Sequence, residues 1–181
     1  MDERLSGFEP LPADPTLQTT FSGDVKVYRR QDVPGRAWIV PRATGVATTE
    51  VAATLVAEPA FDSRVTVIVE QENGDRPLPE GSSGTVTWLR DDPEHLTLRV
   101  AAPEGGWLVL ADAPFPGWQV TLDGEPVEWQ AANVINRALW VPPGEHLIEW
   151  RYQTPGLQVG ILGTVLGALL LVGWVVYGVR R

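Results

Sequence analysis

The chain has 181 residues, of which 23 are acidic and 14 basic, for a formal net charge of −9. That balance repels phosphate backbones and argues against nucleic acid as a partner. There are no cysteines, which excludes disulfides, thiolate metal sites and cysteine nucleophiles.

Residues 1–20, proline-rich and without a clean period, read as a linker or extended lead-in. Residues 24–30 (DVKVYRR) alternate and predict a strand, and 36–40 (RAWIV) a second. Thr48 or Thr49 caps a short helix over 50–57, which ends before Pro59. Residues 65–71, rich in β-branched side chains, predict a third strand. A polar Gly/Pro/Ser loop over 73–84 leads into paired strands at 85–90 and 95–101, with Leu96, Leu98 and Val100 on one face. Residues 107–112 and 117–122 follow as strands, and Asp123-Gly124 is a two-residue hairpin signal. Strands at 126–129 and 138–141 precede the Pro142-Pro143-Gly144 turn, and 145–152 directs Ile148, Trp150 and Tyr152 inward. Short strands joined by Gly/Pro turns predict a mainly β fold: an antiparallel β-sandwich of immunoglobulin or jelly-roll kind with one short helix.

Residues 157–179 contain no charged side chain, and Arg180 and Arg181 follow them. A helix of that length is predicted to cross a bilayer core of about 30 Å. The organisation is therefore a lead-in (1–20), a β-sandwich domain (21–153) and a transmembrane segment (154–181). The terminal arginines predict a cytoplasmic C-terminus and an extracytoplasmic domain, the alternative being a tail-anchored protein with its domain in the cytoplasm. The first residues carry no signal-peptide pattern. The expectation is that upstream membrane helices deliver the domain, the chain being the tail, or a separated piece, of a longer multi-span protein. Gly156, Gly160, Gly163 and Gly167 form two G-x-x-x-G spacings at which a neighbouring membrane helix could approach.

The run from Ala113 to Pro155, followed by the apolar segment, carries Phe115, Pro116, Gly117, Trp118, Asp123, Gly124, Ala132, Asn133, Arg137, Val141, Pro142, Gly144 and His146. In this combination it resembles the C-terminal end of the YfhO-like family of bacterial multi-span membrane proteins. The resemblance covers most of residues 21–181. It implies kinship with envelope glycosyltransferases that use lipid-linked sugars, a cell-envelope glycan as partner, and other transmembrane helices alongside. In such enzymes the catalytic acid lies in an early extracytoplasmic loop, which this chain lacks, so the resemblance implies no catalytic residue here.

Trp107, Trp118, Trp129 and Trp140 are expected in the core, with stacking on a sugar ring as the functional alternative. Asn133 and Arg137 join them as binding candidates, and for Arg137, the one charge in the apolar stretch 134–141, a buried or partly buried pairing with a carboxylate is expected. Pro116, Gly117, Asp123, Gly124, Pro142, Gly144 and His146 are expected to shape turns. Asp91-Asp92 and Glu70 with Glu72 read as solvated acids rather than a glycosidase pair. His95 and His146 lack a second ligand at suitable spacing, so no metal and no cofactor is expected.

Overall fold

The computed structural model describes residues 17–22, 25–30, 33–71 and 80–180. The chain forms two compact units, residues 1–35 and 36–181. The first contains an antiparallel hairpin of β1 (Leu17–Ser22) and β2 (Lys26–Arg30), with a register irregularity between Thr19 and Phe21. Of the lead-in expected over 1–20, residues 1–16 lie outside the described residues and 17–20 belong to β1, whose backbone groups find partners across the hairpin.

The second unit is mainly β. A five-stranded sheet has the order β10 (Glu125–Val127), β9 (Trp118–Leu122), β13 (Gly144–Tyr152), β7 (His95–Ala102), β6 (Thr85–Asp92). A six-stranded sheet has the order β3 (Ala37–Val40), β8 (Gly106–Leu110), β12 (Asn136–Val141), β11 (Gln130–Ala132), β5 (Thr66–Glu70), β4 (Arg42–Val46). Period-two alternation builds the core between them. Leu96, Leu98, Val100, Ile148 and Trp150 come from one sheet and Leu108, Leu110, Leu139 and Val141 from the other, all essentially buried. The opposite face of the six-stranded sheet carries a second cluster around Trp107, Val109, Val67 and Val69.

One pairing departs from the antiparallel expectation: β4, which the sequence did not announce, runs parallel to β5. A parallel pair cannot be closed by a tight turn and needs a crossover. Helix α1 (Thr49–Val56) supplies it, with Thr48 as N-cap. Its Ala52 is fully buried against Val46 and Ile68. The polar loop expected over 73–84 lies largely outside the described residues, as does Glu72.

Helix α2 (Leu157–Val179) is 23 residues long, with mean hydropathy 2.4 over its most apolar window, none of which is buried. It is long and apolar enough to cross a membrane. It leaves the sandwich at Tyr152, the end of β13, which pairs with Trp118 at the start of β9. The same end holds the β6–β7 turn, because Arg151 faces His95, and the loop from β8 to β9. It also holds the β11–β12 hairpin tip, because Arg137 at the start of β12 faces Leu110 at the end of β8.

Candidate functional site

At this helix-bearing end, Arg137 stands on the same face of β12 as Leu139 and Val141. Its side chain therefore enters the space between the sheets and is 0 % exposed. A buried guanidinium is tolerated only when its charge is met. Arg137 Nη2 donates to Asp112 Oδ2 at 3.0 Å. Its guanidinium carbon lies 4.0 Å from the ring centroid of Trp118 and 4.7 Å from that of Trp150. Arg137 Nε and Nη1 have no hydrogen-bond acceptor among the described residues. The two electron-rich ring faces supply the remaining stabilisation of the cation. Burial, only partly offset by Asp112, pushes the Arg137 pKa down to about 10, so the side chain is charged at neutral pH.

Asp112 is shared. It accepts from Arg36 Nε on Oδ1 and from Arg36 Nη2 on Oδ2, each at 2.9 Å, a bidentate pair. Arg36 Nη1 also donates to Asp91, and its guanidinium lies 5.2 Å from the Trp88 ring centroid. The Asp112 hydrogen bond is the main cause that raises the Arg36 pKa. Two arginines and two aspartates cancel formally, and this leaves no net charge to offer an anionic ligand. Chemically, the cluster ties the rim of one sheet to the other. The place of Arg137 among apolar residues implies a carboxylate partner without locating it. Asp112 was expected inside a strand, but β8 ends at Leu110 and the chain turns there, with Asp112 N–H donating to Leu110 O.

Asn133 is buried and satisfied locally: its Oδ1 accepts from Ile68 N–H at 2.9 Å, and its own N–H donates to Ile68 O at 2.8 Å. Asp123 and Gly124 have φ of 53° and 90°, which makes the two-residue β9–β10 turn a left-handed hairpin turn. Asp123 also clamps this turn to β13. Its Oδ1 accepts from Leu147 N–H, and its Oδ2 accepts from His146 Nδ1, both at 2.7 Å. The His146 bond is the first cause that holds the Asp123 carboxyl below its usual range. Gly117, with φ of 105°, lies where a Cβ would meet Gln153 O at 2.4 Å. Pro142 and Gly144 form the β12–β13 turn, with Gly144 at φ 129°.

Trp107 is buried and meets Trp140 edge-to-face at 5.8 Å, on the face away from Arg137. Trp118, Trp129 and Trp140 are half-buried, and Trp129 Nε1 donates to Trp118 O at 2.9 Å. The candidate tryptophans therefore do not form one row: Trp118 lines the arginine cluster, Trp129 packs against Trp150 at 6.0 Å, and Trp107 and Trp140 lie on the far face. Asp91 pairs with Arg36, Asp92 with Arg90 at 2.6 Å, and Glu70 accepts from Thr49 Oγ1 at 2.8 Å. His95 Nε2 approaches Glu149 at 3.7 Å. Among the described residues no three His, Asp or Glu side chains converge as a metal site would need. Gly156 is the left-handed N-cap of α2, outside the helix proper, whereas Gly160, Gly163 and Gly167 share one open face of it.

Comparison with family models, curated proteins and solved structures finds no match to this chain.

Proposed function

We propose that the chain is a membrane-anchored, extracytoplasmic accessory domain, the C-terminal part of a YfhO-like multi-span protein related to lipid-linked-sugar glycosyltransferases of the cell envelope. By itself it catalyses nothing. The observation that carries this reading is α2. Its 23 uncharged residues make no buried contact with the sandwich, so in water they would form one continuous exposed apolar surface. Lipid removes that cost. The arginine cluster supports a scaffolding role, since its charges are spent on one another and its aromatic faces on the cation.

The rival reading is a stand-alone tethered module that binds carbohydrate or protein through exposed tryptophans. It finds little support. Trp107 and Trp150 are buried, Trp38, Trp88, Trp118, Trp129 and Trp140 are half-buried, and only Trp174, within α2, is exposed.

The test exploits the absence of cysteine. Ser83→Cys places a thiol at an exposed position near the start of β6. A membrane-impermeant maleimide should label it in intact bacterial cells that express the chain together with YfhO-like upstream helices. Labelling only after lysis would put the domain in the cytoplasm and end the envelope reading.

A further inference from the structure

Two apolar side chains project from the end of the sandwich that bears α2. Phe115, 64 % exposed, lies in the β8–β9 loop, whose segment from Ala113 to Trp118 (APFPGW) carries no charge. Ile135, 69 % exposed, is the one exposed residue of the β11–β12 hairpin. Both are held outward by their surroundings. Pro114 and Pro116 fix φ on either side of Phe115, and Phe115 N–H donates to Ala113 O at 2.9 Å. In the hairpin, Asn133 and Val134 have φ of 45° and 72°, a conformation a β-branched residue adopts only under constraint. The constraint is visible: Asn133 bonds to Ile68 on both sides, and Val134 packs against the cluster of Val46, Ala52 and Ile68. The strained turn leaves Ile135 in solvent.

The loop is also attached to the start of the membrane segment. Gln153 N–H donates to Gly117 O at 2.8 Å, and a Cβ at Gly117 would touch Pro155 at 3.0 Å. Three residues separate Gln153 from Leu157, and the four steps along the chain reach at most about 14 Å. A helix of 23 residues spans about 35 Å, slightly more than the hydrocarbon core, so its first turn emerges at headgroup level. Phe115 is therefore within reach of the interfacial zone, where aromatic side chains are favoured.

We propose that Phe115 and Ile135 dock into the headgroup zone of the bilayer that α2 spans, so that the sandwich rests on the membrane instead of swinging on its short linker. This rests on the membrane reading of α2. With Asp92 paired to Arg90, exposed Glu94 leaves the neighbouring β6–β7 turn net negative, which disfavours a strongly anionic surface, and the lipid expected is zwitterionic.

The experiment uses the full chain in phosphatidylcholine vesicles, with an environment-sensitive fluorophore on a single cysteine introduced as Phe115→Cys, Ile135→Cys, Leu166→Cys or Ser83→Cys. Ser83 precedes β6 at the opposite end of the sandwich, a strand length of about 25 Å away. A nitroxide on the lipid headgroup should quench the labels at 115 and 135 strongly, and an acyl-chain nitroxide the label at 166. The label at 83 should lose nothing to either. Adding Phe115→Asp to the Ile135→Cys chain should relieve the quenching at 135 while near-UV circular dichroism stays unchanged. Quenching at 166 with labels at 115 and 135 as bright as that at 83 would overturn the docking and leave the membrane span standing. Loss of quenching at 166 as well would overturn both.

Discussion

Replacing Asp112 by alanine leaves Arg137 charged, fully buried and facing only two indole rings. Breaking a buried pair from one side costs about 3–5 kcal/mol. Asp112 is 20 % exposed, so water can enter the vacated space, and the low end, about 3 kcal/mol, is expected. Arg137→Met should behave differently. Burial lowers the arginine pKa to about 10, equivalent to about 3 kcal/mol against its charged form in the folded state. Methionine removes that penalty and forfeits two desolvated cation–π contacts worth about 2 kcal/mol each. The balance is near neutral, within about 1 kcal/mol. In the Arg137→Met background, Asp112→Ala should then cost only about 1 kcal/mol, the more exposed Arg36 pair, which gives a coupling of about 2 kcal/mol. Urea unfolding of the full chain in detergent micelles, followed by tryptophan fluorescence, measures all four corners of the cycle. Equal costs of Asp112→Ala in the two backgrounds would show that the pair is geometric only, and the reasoning would fail.

Gly117→Ala should destabilise the domain by about 2–3 kcal/mol, since strain at φ 105° adds to a backbone clash with Gln153 O. Gly124→Ala, at φ 90° with open space around it, should cost about 1 kcal/mol; a reversed order in the same unfolding assay would refute the packing argument. The Asp123 carboxyl, held low by His146 and Leu147 N–H, contributes stability that is present above its unfolded pKa and is lost as pH falls through its depressed folded value. Stability measured below about pH 4 should therefore fall less steeply in Asp123→Asn than in the unaltered chain, and parallel profiles would contradict the assignment. Leu166→Arg places a charge mid-helix at an insertion cost of about 3 kcal/mol, and should sharply reduce the fraction of chain that resists alkaline extraction of membranes. Unchanged resistance would remove the case for α2 as a span.

Some of this molecule is written in single short segments. The 23-residue uncharged run sets α2, because composition alone decides whether a helix prefers lipid. Asp123-Gly124 sets its hairpin, because both residues must accept positive φ. Thr48 sets the start of α1 by capping Val51 N–H. The alternation of Ile148, Trp150 and Tyr152 sets the inner face of β13. Other features exist only once distant segments meet. Strand β4 (RATGV) has no strong pattern of its own and becomes a strand because α1 returns the chain beside it as β5. Arg137 announces the need for a counter-charge by its position among apolar residues, but its partner is 25 residues earlier in a loop. Only the pairing of β8 with β12 brings Asp112 to it, and only β9 and β13 bring the faces of Trp118 and Trp150. Periodicity and backbone preference act over a few residues and are legible locally. Charge neutralisation in a core acts through space, and the sheet topology alone decides which groups share that space.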